Sequence, residues 1–260
     1  MSRMIAVTNQ KGGVGKTTTA INLAASLAST HDRVLLVDLD PQGNATTGSG
    51  IDKHSELTLY HVLAEGRQVV EVIQRSSEGG YDVVPANGDA TAAEVALMQQ
   101  PEREFVLRQA LSSVRTNYDW VILDCPPALN LLTVNALAAA DSVLIPVQCE
   151  YFALEGIAAL LETIEQVQHS INPKLQIEGV LRTMYDARMS LTQDVSDELQ
   201  QHFGEQLYRT VIPRNVRVAE APSHGLPVMH YDASSRGALA YLALVGELKR
   251  RHQRTTTAAS

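Results

Sequence analysis

Apolar residues along this chain fall into short, nearly unbroken runs, separated by longer stretches in which they recur every three or four positions. The short runs are Met4–Thr8, Val34–Asp38, Tyr81–Pro85, Trp120–Asp124, Ser142–Val147, Ile177–Thr183 and Tyr208–Ile212. Continuous rather than alternating hydrophobicity is what strands show when helices cover both faces of a parallel sheet. The longer stretches predict helices over Thr17–Ala28, Glu102–Arg115 and Phe152–His169. In the last of these, Phe152, Leu154, Ile157, Leu160, Leu161, Ile164 and Val167 share roughly one face, and Asn172-Pro173 ends the pattern. Ser190-Leu191-Thr192-Gln193 has the form of a capping box that opens a further helix. Near the end, Leu239, Leu242, Leu244, Val245 and Leu248 form a core-facing stripe on a helix over Gly237–His252. Strands and helices alternating at this spacing predict a doubly wound α/β fold: a mostly parallel sheet, helices on both faces, and ligands at the C-terminal ends of the strands.

A length of 260 residues with 45% hydrophobic composition suits one large domain, expected over residues 1–250, with a polar, frayed tail over 251–260. No apolar stretch approaches the roughly 20 residues of a membrane span. The first seven residues run straight into a strand and leave no room for a signal peptide, so a soluble, cytoplasmic protein is expected. Cys125 and Cys149 have neither disulfide nor metal-ligand spacing and read as buried thiols. The net charge of −8 argues against a simple DNA-coating protein, but the charge is unevenly spread. Arg182 to Arg254 holds 10 Lys and Arg against 8 Asp and Glu, and the rest of the chain holds 11 against 21. A local basic patch therefore belongs to the C-terminal third.

The chemistry is concentrated in Lys11-Gly12-Gly13-Val14-Gly15-Lys16-Thr17-Thr18, which follows a predicted strand and opens a predicted helix. That context is the one a phosphate-binding P-loop requires. The glycines let the backbone curl and aim its N–H groups at phosphate oxygens, and the helix start adds a positive dipole end. Lys16 can reach the β and γ phosphates, and the Thr17 hydroxyl is placed to ligand Mg²⁺. The loop departs from the usual pattern at Gln10 and Lys11. Lys11 is either a solvated surface lysine or a group that reaches nucleotide across an interface. Two acidic strand ends adjoin the loop. Val37-Asp38-Leu39-Asp40 ends one strand; Val121-Ile122-Leu123-Asp124 has the form of a Walker B strand, with Asp124 near Mg²⁺.

These residues, with three further motifs, resemble the ParA/MinD superfamily with its deviant Walker A loop, and within it the small chromosomal ParA/Soj partition ATPases. The motifs are Asp38-Leu-Asp40-Pro-Gln-Gly-Asn-Ala-Thr46, Thr183-Met-Tyr-Asp-Ala-Arg188 and Val211-Ile-Pro-Arg-Asn-Val-Arg217-Val-Ala-Glu-Ala-Pro222. The matches run from about residue 4 to residue 245. The resemblance implies an ATP hydrolase with slow basal turnover, using ATP/ADP and Mg²⁺ and cycling as an ATP-dependent homodimer. It implies that Lys11 contacts phosphates held by the other subunit and that Asp40 serves hydrolysis beside the metal. Pro41–Thr46 and Asp124–Pro127 would be the two switches. It further implies that Met184, Pro213 and Asn215 lie near the adenine, and that Glu150 approaches nucleotide across the dimer. Arg188 and Arg217 match positions that bind double-stranded DNA without sequence preference, and Arg214 and Arg236 would extend that patch. A ParB-type centromere-binding partner and a nucleoid location complete the expectation. A MinD-like division-site ATPase is the alternative, but it carries an amphipathic membrane helix, and the tail here has almost no apolar residues for a bilayer. A reductase holding an Fe–S cluster between subunits needs two suitably placed cysteines, and Cys125 lies inside the Walker B run.

Overall fold

The computed structural model describes the backbone of residues 2–258 and the side chains of residues 2–253. Its strands are β1 (Arg3–Val7), β2 (Val34–Asp38), β3 (Gln74–Ser76), β4 (Tyr81–Val84), β5 (Trp120–Asp124), β6 (Ser142–Gln148), β7 (Gln176–Tyr185) and β8 (Leu207–Pro213). The helices are α1 (Lys16–Ala28), α2 (Asn44–Gly48), α3 (Leu59–Glu65), α4 (Val69–Val72), α5 (Ala90–Leu97), α6 (Val106–Ser112), α7 (Leu131–Ala139), α8 (Ala153–Ser170), α9 (Ser190–Phe203), α10 (Val216–Glu220), α11 (Val228–Tyr231) and α12 (Arg236–Ala258). One sheet runs in the order β3-β4-β2-β5-β1-β6-β7-β8. Every neighbouring pair is parallel except β3 with β4. This is the expected doubly wound fold, with β1 at the centre of the order and its C-terminal end leading to the glycine loop.

The two faces of the sheet bury separate cores. One side packs Leu35, Val37, Val121 and Leu123 against apolar residues of α3 and α5 to α9. The other packs Ile5, Val7, Leu36 and Ile122 against α1, α11 and α12, with Tyr241, Leu244, Val245 and Leu248 contributed by the last helix. Strands β1, β2 and β5 are therefore covered on both sides, which is why their sequences read as unbroken apolar runs.

Four sequence expectations need correction. The helix expected over Glu102–Arg115 is only α6, Val106–Ser112. Glu102 sits at a left-handed φ of 52°, and the Asn135 side chain caps α6 from outside by accepting from Leu107 N at 3.1 Å. The box at Ser190 does not form, because Met189 is the cap residue, with no side-chain cap bond, and the Gln193 side chain turns back to Ala187 O. Phe152 and Leu239, placed on buried stripes, are exposed. Residues 251–258, expected as a tail, continue α12 as helical backbone. β3, α2 and α4 carried no sequence signal, being three to five residues long. Cys125 and Cys149 are buried, as expected. No helix among the described residues is long and apolar enough to cross a membrane.

At the β8 edge of the sheet, one side chain replaces a missing neighbour strand. The Glu247 carboxylate accepts from Arg209 N and Thr210 N, both at 2.9 Å, and from Thr210 Oγ1 at 2.8 Å. It also pairs with Arg251 at 2.9 Å. Glu247→Ala leaves two edge N–H groups without this partner and is expected to lower the unfolding free energy by about 2–3 kcal/mol, read from urea denaturation. A change below about 0.5 kcal/mol, the usual range of a plain surface substitution, contradicts the bridging role.

Candidate nucleotide-binding site

The glycine loop joins β1 to α1 at the C-terminal edge of the sheet. Gly13 and Gly15 adopt φ of 76° and 84°, conformations that side chains disfavour, and Gly15 is the residue that opens α1. A methyl built on Gly12 or Gly13 would meet nothing within 4 Å, so no other part of the described chain crowds the loop on that side. Asn9 braces its base, donating from Nδ2 to Pro146 O at 2.7 Å and accepting Lys11 N at 3.0 Å. Thr183, at the end of β7, holds the other side by donating to Val14 O at 2.8 Å. Lys16 is buried and its ammonium donates to Lys11 O at 3.0 Å, so its charge lies against the loop itself. Burial lowers its pKa, while Asp124, Cys125 and Asp40 act in the opposite direction.

Asp38 and Asp124 end adjacent parallel strands in direct register, and both are fully buried. Their surroundings differ. Asp38 accepts from Asp40 N at 3.1 Å, Thr46 N at 2.8 Å and Thr46 Oγ1 at 2.7 Å. Thr46 Oγ1 in turn accepts Ala86 N at 2.9 Å, which pins the loop to the chain beyond β4. Gly43 is obligatory there: its φ is 64°, and an added Cβ would lie 2.6 Å from Ala86 O. Asp38 is thus the organiser of the following loop. Asp40, held within that loop, accepts Gln42 N at 2.9 Å and lies almost buried near Lys16.

Among the described residues neither oxygen of Asp124 has a partner at hydrogen-bond distance, and the Thr17 hydroxyl acts on it only from beyond that range. Burial first, and then the charge of Asp38, push its pKa well above the carboxylate range, against the pull of Thr17 and Lys16. A buried carboxylate with unsatisfied oxygens is costly unless something cationic arrives. Mg²⁺ fits the chemistry of this donor set: Asp124 and the Thr17 hydroxyl are hard oxygen donors that could hold it together with nucleotide oxygens, with Asp40 close by.

Lys11 pairs with Glu150 of its own chain at 2.9 Å, and Gln148 donates to the other oxygen of Glu150. The two residues predicted to act between subunits therefore hold each other within one chain. With side chains 37% and 48% exposed, this pair is weakly held and free to exchange. Met184, Pro213 and Asn215 meet in an apolar cavity of about 400 Å³ walled also by Gly15, Thr18, Val216 and Tyr241. The cavity abuts the glycine loop and falls within the size range of small-molecule pockets. Met184 stands at a left-handed φ of 49°, rare for a side chain of its kind and a mark of functional sites. Asn215 caps α10 by accepting Val218 N, which commits its carbonyl oxygen.

The arginines lie at the same end of the sheet. Arg188 follows β7, Arg214 and Arg217 follow β8, and Arg236 opens α12. Tyr185 O accepts Arg214 N at 3.1 Å, joining the first two segments. All four are exposed. Arg188 and Arg217 are not bare charges: Arg188 pairs with Asp186 at 2.6 Å, and Arg217 pairs with Glu220 at 3.0 Å and Asp232 at 3.5 Å. Sequence reasoning missed Asn9, Thr46 and Thr183 as braces. Thr46 and Thr183 stood inside quoted motifs, but nothing local marked them as ties between distant segments.

A glycine loop between strand and helix, an inward-folded lysine and an unpaired carboxylate at the adjoining strand end define a P-loop nucleotide-binding protein of the doubly wound class. The sequence matches the AAA domain family AAA_31 over residues 2–177. It is 53% identical over 249 residues to the sporulation initiation inhibitor protein Soj of Bacillus subtilis, covering 95% of this chain and 98% of that protein. It is 51% identical over 261 residues to the chromosome partitioning protein ParA of Caulobacter vibrioides, covering 99% and 98%. Among solved structures, a cobyrinic acid a,c-diamide synthase from Mycobacterium smegmatis with bound ADP and magnesium superposes with a TM-score of 0.86 at 37% identity, covering 97% and 96%. The chain belongs to the ParA/Soj family of P-loop ATPases.

Burial pushes the Asp38 pKa up to about 6 against the hydrogen bonds from Thr46, so the folded protein holds a proton there that the unfolded chain releases near pH 4. Stability from this group is greatest at low pH and falls as pH rises from about 4 to about 6. Asp38→Asn cannot ionise. Its unfolding free energy relative to the parent is expected to improve by on the order of 2–3 kcal/mol across that window, in urea titrations without ligand. A constant difference between the two proteins at pH 4 and pH 6 refutes the assignment.

Proposed function

We propose that this protein is a DNA-partition ATPase whose ATP-bound form pairs with a second copy, binds double-stranded DNA without sequence preference, and releases both on hydrolysis. The observation that carries the ATPase reading is Asp124, a buried carboxylate with both oxygens unsatisfied beside Lys16 and the glycine loop. The names and full-length similarity of the Soj and ParA relatives support the partition role. The ADP and magnesium held by the Mycobacterium smegmatis neighbour support ATP/ADP and Mg²⁺ as the ligands.

Bound Mg²⁺ would supply positive charge at the transferred phosphate. Around it, Lys16 leaves the Lys11 carbonyl for phosphate oxygens, Thr17 and Asp124 hold the metal side, and Asp40 orients a water for attack on the terminal phosphorus. The P–O bond to ADP breaks as the water oxygen bonds to phosphorus, giving ADP and phosphate. The apolar cavity with Met184, Pro213 and Asn215 receives the adenine. Lys11 exchanges Glu150 for phosphates held by the second copy, and Glu150 is then free to approach that nucleotide. Basal turnover is slow and a ParB-type partner accelerates it; DNA binding would hold the protein on the nucleoid, in the cytoplasm.

Arg188 and Arg217, extended by Arg214 and Arg236, form the DNA patch. Each molecule offers a small footprint, and pairing doubles it, so that DNA retention follows assembly. Roughly four neutralised phosphates would give a log–log salt slope of about −3.6.

Two sets of variants test this reading. Lys16→Ala should abolish binding of a fluorescent ATP analogue, whereas Asp40→Ala should keep ATP and DNA binding while turnover falls about 10²-fold or more. Normal turnover in Asp40→Ala removes it from the mechanism. Arg188→Glu with Arg217→Glu should keep ATP-dependent dimerisation by light scattering but lose DNA retention. Retention with an unchanged salt slope means that the patch lies elsewhere.

A further inference from the structure

The Asp40 loop runs without a break into α2, and α2 is fastened on one side only by the site. Asp38 holds Thr46, and Gly43 fits against Ala86. Its other side meets the 3₁₀ turn Ala221–His224, which continues directly from α10. No side chain separates the two backbones there. A Cβ on Gly50 would stand 3.0 Å from Gly225 O, and one on Gly225 would stand 3.0 Å from Gly50 Cα and 3.5 Å from Thr47 O. Both glycines are left-handed, with φ of 75° and 66°. Gly48 also lies close, although against side chains: a Cβ there would be 2.5 Å from the Ile21 Cδ1 tip of α1 and 3.6 Å from Pro222 Cβ.

α10 is clamped at its opposite end. Gly237, at the start of α12, lies so near that an added Cβ would be 2.2 Å from Val218 Cγ2 and 3.4 Å from Asn215 Oδ1. Between these clamps α10 does two things. Val216 and Val218 wall the base cavity, and Arg217 projects to the surface beside Glu220 and Asp232. Close-packed backbones transmit displacement, because neither side has a rotamer with which to absorb it.

We propose that the Gly50–Gly225 contact couples the phosphate-side loop to α10, so that a shift of the Asp40 loop on binding or loss of the terminal phosphate moves Arg217 and the base-cavity wall together. Gly50 and Gly225 are positioning residues that act through α10 and belong to neither the nucleotide site nor the arginine patch. The lever deepens the switch reading above and rests on it for the DNA readout, but not for its own motion.

Hydrogen exchange of the full chain, measured with Mg²⁺ plus ADP or a non-hydrolysable ATP analogue, tests the lever without DNA. In the parent protein, peptides covering 41–50 and 216–226 should both change protection between the two nucleotides. Gly225→Ala, which drives a methyl into the contact, should keep the response of 41–50 and lose that of 216–226. It should still bind nucleotide, but its ratio of DNA retained with ATP to that retained with ADP should fall at least tenfold. The lever is overturned if 216–226 ignores the nucleotide in the parent while 41–50 responds, or if folded Gly225→Ala keeps both its coupled exchange and its retention ratio. Should Gly225→Ala not fold by circular dichroism, the parent exchange measurement decides alone. If the parent retains no DNA in any nucleotide state, the DNA role fails, while the exchange data still judge the lever.

Discussion

Two carboxylates set side by side in a dry sheet end are the constraint around which this molecule is arranged. Asp38 and Asp124 terminate neighbouring strands in register, and neither reaches solvent. Like charges so placed cannot both persist without compensation. The protein divides the problem. Asp38 is satisfied locally by Thr46 and the Asp40 amide, which folds the intervening loop into a fixed shape. Among the described residues Asp124 is left without a hydrogen-bond partner, so both its oxygens remain available to a cation. The glycine loop, the inward lysine and the braces Asn9 and Thr183 surround that carboxylate.

Most of this was legible in the chain. The strands buried on both faces announced themselves as unbroken apolar runs, and the loop from Lys11 to Thr18 could be read because its register between strand and helix leaves few other uses for three glycines and a lysine. The fold was less legible wherever an element is short or is fixed from a distance. α6 begins late because Asn135, a residue of α7, caps it, and no local pattern encodes a cap supplied from another helix. β3 has three residues and owes its existence to pairing with β4. Ser190 looked like a cap, but the turn built by Asp186 and Arg188 places Met189 there instead.

The site shows the same division. Lys16, Thr17 and Asp124 could be identified from their own neighbourhoods. Met184, Pro213 and Asn215 come from two strand ends and could be joined only through a family resemblance, yet they line one cavity. Lys11 was ambiguous from sequence, since spacing does not reveal a partner. Its in-chain pair with Glu150 shows how a second lysine is tolerated near the first: its charge is balanced at the surface while the Lys16 ammonium is turned inward onto the Lys11 carbonyl. Arg188 and Arg217 carry acids with them, so the local positive potential is smaller than the number of arginines suggests.

The cap that Glu247 places on β8 has a consequence for the ways in which copies of this protein can meet. An open parallel sheet invites another strand, and uncapped edges are the usual route to runaway polymers. Here two amides of one border are already spoken for, and the opposite border is a three-residue strand running the other way. Growth of the sheet from molecule to molecule is discouraged at both margins. The loops at the strand ends are left as the surface through which the proposed pairing of copies would run, with the nucleotide in its seam.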